Sequence, residues 1–484
     1  MMPRARCPIA YLSHLSAGTL AGSLLVTVYL SSAAAVALHA LLTKPDPRSV
    51  VSWIALCWLF PLGGAVLYWL FGINRVSTRS PARSQPEADL RAAAPDPMPK
   101  GAGASPQFRA LECVGDALTG LPLLGGNTLE PLSNGEVAFP RMLRAISAAR
   151  QSICLATYIF QTDAIGREFI DALQAAVARG VSVRVLVDGI GEWYDWPHVV
   201  PLLRRAGVTA ERFLPPRLLP PNLSLNCRNH RKLLLIDGAE GFLGGMNLGG
   251  REVGGSTGRR MTDIHFCLRG PAVAQLGAVF AADWKFASGE SLSTPAVTQL
   301  TGHAVCRAIT GGPDESIDKL LLIISSAIAV AQRQILIMTP YFIPPPELVV
   351  ALQGAALRGL EVSLVLPRHS NLRYIDWATL HWLPALVERG VQVHLSPPPF
   401  SHAKLFVVDR EYAHIGSVNL DTRSLRLNFE IALEVFDAAL CAQLASFIES
   451  FRDRTKALRR AELANDPPLV RIRNSLCWLI SPYL

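Results

Sequence analysis

Two short sets of polar residues in this 484-residue chain have the makings of a phosphodiester site. His230, Lys232, Asp237, Gly244, Gly245 and Asn247 recur as His402, Lys404, Asp409, Gly416, Ser417 and Asn419, each displaced by one constant interval. A lone H-x-K arises by chance. A second copy with the same apolar run, Asp, small pair and Asn does not. Two imidazoles, two ammonium groups and two carboxamides converging on one place suit a phosphodiester. Lys232 and Lys404 offset its charge and the amides of Asn247 and Asn419 donate to its equatorial oxygens, which stabilises the transition state without metal or cofactor. One His attacks phosphorus while the other protonates the leaving oxygen. An ordinary imidazole pKa of about 6.5 makes both forms accessible near neutrality.

Such rings need orienting carboxylates. Glu430 follows the second set within Asn428–Ala432, and Asp263 stands at the matching place after the first, within Thr262–Phe266. Each is expected to pair with a catalytic imidazole, the alternative for Asp263 being a surface acid at a strand end. The candidate catalytic set is therefore His230, Lys232, Asp237, His402, Lys404 and Asp409, with Asn247, Asn419, Gly245, Ser417, Glu430 and Asp263 expected at the substrate. Asp237 and Asp409 are expected to organise the turn after the strand rather than touch substrate.

The elements that must position these groups also come twice. Ser152–Gln161 reads as a strand, Ile165–Arg179 as a helix and Val181–Asp188 as a strand. Gln334–Phe342, Glu347–Arg358 and Leu360–Leu366 repeat the order. Arg179-Gly180 is answered by Arg358-Gly359, and Ala206-Gly207 by Arg389-Gly390. This predicts an α/β body built by internal duplication, with largely parallel or mixed sheets. Leu233–Ile236 and Leu405–Val408 are apolar, so strand alternation puts each His and Lys on one face with a buried run behind. The small pairs end the next strand where backbones approach closely.

Hydrophobic residues make up 50% of the chain and the formal charge is +8, a balance that fits a lipid surface or nucleic acid. The nine cysteines form no C-x-x-C pair, and no H-E-x-x-H is present, so neither a disulfide framework nor a zinc site is indicated. Residues 17–42 and 50–73 are long apolar stretches separated by a charged, proline-containing turn, and predict a transmembrane hairpin. A cleaved signal peptide is the alternative for the first stretch. Arg4, Arg6, Arg75, Arg79 and Arg83 outweigh Lys44 and Arg48, which puts both ends on the cytoplasmic side. Pro61, Gly63 and Gly64 are expected to kink the second span or admit the first, and Trp53, Trp58, Tyr68 and Trp69 to include interfacial anchors.

The doubled H-x-K-x4-D with G-[GS]-x-N resembles the phospholipase D superfamily. The longer strings Asn226–Lys232, Gly244–Asn247 and Gly416–Ser424, with Asn428 and Glu430, resemble its bacterial cardiolipin synthase members, as do Asp46-Pro47, Trp53, Pro61, Tyr68 and Phe71-Gly72 near the N-terminus. The resemblance implies an internally duplicated phospholipase D-like α/β/α sandwich after the hairpin, in a bacterial inner membrane. It implies phosphatidyl transfer between two phosphatidylglycerol molecules through a phosphohistidine, releasing glycerol, with His230 as nucleophile and His402 as acid and then base. The implied divisions are a hairpin over 1–73, a linker over 74–107, halves over 108–300 and 301–460, and a tail over 461–484. Two departures touch acceptor choice: Met261 replaces an aromatic, and Thr379-Leu380-His381-Trp382 replaces a Ser-Tyr pair.

A hydrolysing phospholipase D, or one using a donor such as phosphatidylethanolamine, shares this motif. A metal-independent nuclease is a further rival, against which the apolar spans argue. The loops Leu214–Pro221 and Ser396–Phe400 are read as rims for acyl chains or as rigid connections. Trp193, Tyr194 and Trp196 are candidates for a membrane surface, and Tyr158 and Tyr341 for site lining, with core packing the alternative. The tail Val470–Leu484 either lies on an anionic surface or packs against the body.

Overall fold

The computed structural model describes residues 9–44, 47–60, 62–73, 105–216, 227–253, 261–293, 299–313, 318–464 and 466–479. The expected linker, for all but its last few residues, lies outside these, as do Arg4, Arg6, Arg75, Arg79, Arg83, Pro61, Asn226, residues 217–221 of the first proline-rich loop and residues 480–484. The chain divides into two compact units, one of N-terminal helices and one that holds the strands.

In the first unit, the helix Ile9–Thr43 carries no charged residue. Its stretch Gly22–Thr43, 22 residues with mean hydropathy 1.9, is long and apolar enough to cross a membrane. The second apolar stretch, 50–73, is interrupted where a kink is expected. A helix Pro47–Leu59 ends before Leu62, whose φ is 60°, and a short helix Gly63–Leu67 and a π turn Tyr68–Gly72 follow. Gly64 permits the break, because a Cβ there would lie 2.6 Å from the Leu56 carbonyl. Its close approach is thus to the helix just before it, not to the first span. Trp53 and Tyr68 are buried with Ala33, Val36 and Ala40, and His39 Nδ1 lies 2.7 Å from Tyr68 Oη. They hold helix to helix and are not surface anchors; Trp58 and Trp69 are exposed.

The second unit is organised by strands β1 (Leu124–Ser133), β2 (Ser152–Thr157), β3 (Ser182–Asp188), β4 (Thr209–Phe213), β5 (Leu233–Ile236), β6 (Glu240–Gly244), β7 (Met261–Thr262) and β8 (Ile264–Arg269). There follow β9 (Ala304–Gly311), β10 (Gln334–Met338), β11 (Phe342–Ile343), β12 (Glu361–Pro367), β13 (Gln392–Ser396), β14 (Phe400–Ser401), β15 (Leu405–Val408), β16 (Tyr412–Gly416), β17 (Leu420–Asp421) and β18 (Glu430–Phe436). Fourteen of them form one sheet in the order β4-β3-β2-β5-β6-β8-β1-β9-β18-β16-β15-β10-β12-β13. From its centre outward, each half runs through the same succession of strands.

The sheet is mixed, with parallel pairs only at its two ends, β3 with β2 and β4, and β12 with β10 and β13. The expectation of a largely parallel sheet fails at the motifs. Asp237 and Gly238 have φ of 50° and 66°, and Asp409 and Arg410 have 52° and 58°, so each apolar run turns back as a tight hairpin and pairs antiparallel.

Helices cover both faces. Ala272–Ser288 and Ala438–Arg452 bury Leu276, Phe280, Leu444 and Ile448 against one. On the other, Ala164–Ala178 packs on the first half through Phe169 and Leu173, and Pro346–Leu357 on the second through Leu348 and Leu352. Gly180 and Gly359 stop those two helices with φ of 85° and 92°, a conformation that costs any other residue a Cβ clash. The helix Arg109–Thr119 precedes β1 in sequence, yet its Leu111 packs among residues of the second half.

Candidate active site

Both motif histidines lie in extended segments just before β5 and β15, where each is tied to the opposite half. His230 N–H donates to the Phe429 carbonyl at 2.9 Å, and His402 N–H donates to the Thr262 carbonyl at 2.7 Å. The residue after each acceptor is the carboxylate. Glu430 Oε1 and Oε2 lie 3.0 and 3.1 Å from His230 Nδ1, and Asp263 Oδ2 lies 2.8 Å from His402 Nδ1. Each acid therefore serves the histidine of the other motif. At His230 this bonding puts a ring proton on Nδ1 and leaves the Nε2 lone pair for substrate.

A cavity of about 230 Å³ is lined by His230, His402, Asn247, Asn419, Tyr158 and Tyr341, among others. The tyrosines take matching places, with Tyr158 edge-on to His230 at 5.4 Å between centroids and Tyr341 edge-on to His402 at 6.2 Å. They line the site rather than the core. Asn247 Oδ1 accepts from Ile159 N–H at 3.2 Å, which leaves its amide N–H groups as donors.

The remaining candidates stand behind this lining. Lys232 Nζ donates to the His230 carbonyl at 2.8 Å and Lys404 Nζ to the His402 carbonyl at 2.6 Å, both side chains being buried. Lys404 Nζ also lies 3.0 Å from both ring nitrogens of His402. The expectation of Gly245, Ser417, Glu430 and Asp263 at the substrate is corrected, since all four sit beneath the histidines. A Cβ on Gly245 would lie 2.5 Å from Asp263 Oδ2, so only glycine leaves room for that carboxylate. Ser417 Oγ donates to Glu430 Oε2 at 2.5 Å. The paired small residues thus do different jobs.

Asp237 and Asp409 lie at the far end of their strands. Asp237 accepts from the backbone N–H groups of Arg150, Gln151 and Ser152 at 2.7–2.9 Å. Asp409 accepts likewise from Gln332, Arg333 and Gln334 at 2.7–2.8 Å. They fasten the hairpin turn to the start of β2 or β10. Their place in the catalytic set is corrected, because no reacting atom comes near a carboxylate spent on three backbone donors.

Burial sets the electrostatics. It pushes the His230 imidazole down to about 4 against the pull of Glu430, and His402 likewise to about 4, where Lys404 adds to the effect. Both rings are therefore neutral in the empty site, unlike the near-neutral titration expected of free imidazoles. Burial also brings Lys232 down to about 7 and Lys404 to about 8, with Glu430 and Asp263 respectively opposing it. Burial alone would raise the Glu430 carboxyl; His230, Lys232 and Ser417 outweigh it and hold the group below its ordinary range. A bound phosphodiester anion would raise both histidines, which supplies a protonated ring when substrate arrives.

Sequence reasoning missed Glu252, Tyr194, Tyr374, Asp421 and Arg423, which also line the cavity. Asp421 and Arg423 lie inside the string Gly416–Ser424, which offered a signal; Glu252 offered only its nearness to Asn247, whose N–H it accepts at 3.2 Å. Of the two departures, Met261 lines the cavity, whereas His381 and Trp382 face the helix Pro468–Leu479. The described residues contain no group of His, Cys, Asp and Glu arranged to hold a metal ion.

Comparison with known proteins identifies the family. Residues 142–284 and 324–452 match the family model described as cardiolipin synthase, PLD-like domain. The chain is 32% identical over 467 residues to a cardiolipin synthase of Geobacillus kaustophilus, covering 93% of this chain and 91% of that one. It is 33% identical over 459 residues to cardiolipin synthase A of Pseudomonas aeruginosa, with the same coverage. Among solved structures, phosphatidylserine synthase of Haemophilus influenzae matches 78% of this chain and 100% of its own with a TM-score of 0.59, at 17% identity, a likeness of fold.

Proposed function

The chain belongs to the cardiolipin synthase family of phospholipase D-like proteins, and from that premise we propose how its two histidines make cardiolipin from phosphatidylglycerol. It is a phosphatidyltransferase. The observation that carries the mechanism is the crossed pairing of two imidazoles with two buried carboxylates, both rings facing one cavity.

His230 Nε2 attacks the phosphorus of one phosphatidylglycerol. The bond from phosphorus to the headgroup glycerol oxygen breaks, and His402, protonated in the presence of the anion, gives its proton to that oxygen. Glycerol leaves and a phosphatidyl-histidine remains. His402 then takes the proton from the terminal hydroxyl of a second phosphatidylglycerol. That oxygen attacks phosphorus, the phosphorus–nitrogen bond breaks, and cardiolipin is released with His230 regenerated. Glu430 stabilises the positive His230 ring while the bond to phosphorus exists, and the Asn247 amide donates to the charge on the phosphoryl oxygens. Lys232 and Lys404 offset the phosphate charge from behind the histidines.

The same reading treats the body as a duplication with halves over 108–300 and 301–460, which the mirrored strand succession supports. The helices up to residue 73 form a two-pass membrane hairpin with both ends on the cytoplasmic side, followed by a linker over 74–107.

The test is incubation of the full chain with labelled phosphatidylglycerol vesicles, with and without phosphatidylethanolamine. Cardiolipin and glycerol are expected from phosphatidylglycerol alone. Cardiolipin only when phosphatidylethanolamine is added would reassign the donor. Phosphatidic acid as the main product would make the protein a hydrolase.

A further inference from the structure

The helix Pro468–Leu479 is docked on the catalytic body by one face. Trp478 stacks on His381 with centroids 4.3 Å apart and planes at 8°, and meets Trp382 edge-on at 5.8 Å. Ser475 Oγ lies 3.2 Å from His381 Nδ1, and the Arg473 guanidinium sits 4.5 Å over the Trp377 ring. The opposite face is left bare. Leu469, Ile472, Leu476 and Leu479, at helical spacing, are 79%, 54%, 59% and 65% exposed.

The docked face of this helix adjoins the cavity lining. Cys477 and Trp478 pack with Tyr341, Leu372, Tyr374 and Ile375, all four of which line the cavity. Tyr194, also lining it, is near enough to Tyr341 and Tyr374 to influence their ionisation electrostatically. Its neighbours Trp193 and Trp196 are 62% and 79% exposed. Bare apolar side chains therefore stand on two segments, distant in sequence, each of which has a residue at or against the cavity lining.

We infer that these side chains form a docking face for an anionic phospholipid surface, in which the C-terminal helix and the Trp193–Trp196 turn set the cavity mouth against the bilayer. The helix carries no acidic residue; with Arg473 engaged on Trp377, Arg471 is its exposed charge, a composition that fits anionic headgroups beside a leucine stripe. The inference rests on a lipid substrate. It goes further in making delivery of lipid to the site depend on a helix that contributes no reacting group.

The test uses the full chain in proteoliposomes. With Leu469, Ile472, Leu476 and Leu479 all changed to Ser, turnover of phosphatidylglycerol within the bilayer is expected to fall at least tenfold, while turnover of a short-chain, water-soluble phosphatidylglycerol stays within twofold of the parent. Equal loss on both substrates, or on neither, overturns the proposal. A genetically encoded environment-sensitive fluorophore at Leu476 should shift to the blue with vesicles containing phosphatidylglycerol and not with phosphatidylcholine alone. A shift that follows protein concentration in detergent instead assigns the face to a second copy. An inactive parent protein that still gives the lipid-dependent shift would sink the enzymatic reading and leave the docking face standing.

Discussion

Glu430, which follows the second motif in sequence, lies 3.0 Å from Nδ1 of His230 in the first, and Asp263 returns the arrangement to His402 at 2.8 Å. Neither half contains a working imidazole by itself, since each borrows its orienting acid across the central strands. Glu430→Gln is expected to leave His230 in a mixture of tautomers and lower kcat/KM by roughly 10³-fold, as loss of an orienting carboxylate does in other His-dependent enzymes. Steady-state kinetics with circular dichroism checks this; a loss under tenfold in a folded variant would exclude the role.

The order of the two histidines is separable by covalent trapping. With a substrate whose leaving group needs no proton, such as a p-nitrophenyl phosphatidyl ester, His402→Ala should still accumulate alkali-stable, acid-labile label on the protein. His230→Ala should accumulate none. The reverse pattern would exchange the roles.

The small residues of the two motifs should respond unequally. Gly245→Ser places an atom where the Asp263 carboxylate stands, so the acid must leave His402, and activity should drop more than about 100-fold. Ser417→Gly removes one hydrogen bond to Glu430, with an expected loss of about tenfold, corresponding to about 1.4 kcal/mol. Similar losses in the two variants would contradict the asymmetry.

A pH profile of kcat/KM reports the free enzyme. His230 must be neutral to attack and, brought down to about 4, is neutral above that pH, so the acid limb should lie well below the ordinary imidazole range. His402, also brought down to about 4, must take up its proton with the substrate, so kcat/KM should already fall as pH rises towards neutrality. Lys232 and Lys404, brought down to about 7 and about 8, lose charge as pH rises through those values, and the rate should decline there. A profile flat to pH 9 would show that the lysine charges do not matter.

Asp237→Ala and Asp409→Ala test fold rather than chemistry. Each removes a carboxylate that accepts three backbone N–H groups and sits at positive φ, with an expected cost on the order of 2–4 kcal/mol in unfolding free energy. Denaturant melts should show this, while activity per folded molecule stays within a few-fold.

Much of the site is legible along the chain because the chemistry is written twice at a constant interval. His230 and His402, the lysines behind them and the acids after them all follow from residue type and spacing. The Asp237-Gly238 turn between two strands is legible too; the antiparallel pairing it imposes follows from the positive φ of both residues. Local information ends where contacts join distant residues. Which acid meets which histidine depends on strands 200 residues apart in the pair His230–Glu430. The depressed histidine and lysine pKa values depend on burial that no neighbour in sequence reveals. Whether the C-terminal helix packs or stays bare was open in sequence, and the structure answers both, one face on His381 and the other on solvent. Residue identity determined which groups could act on a phosphodiester; only the crossing of the two halves decided how they are paired and charged, because orientation and desolvation are properties of what surrounds a side chain in space.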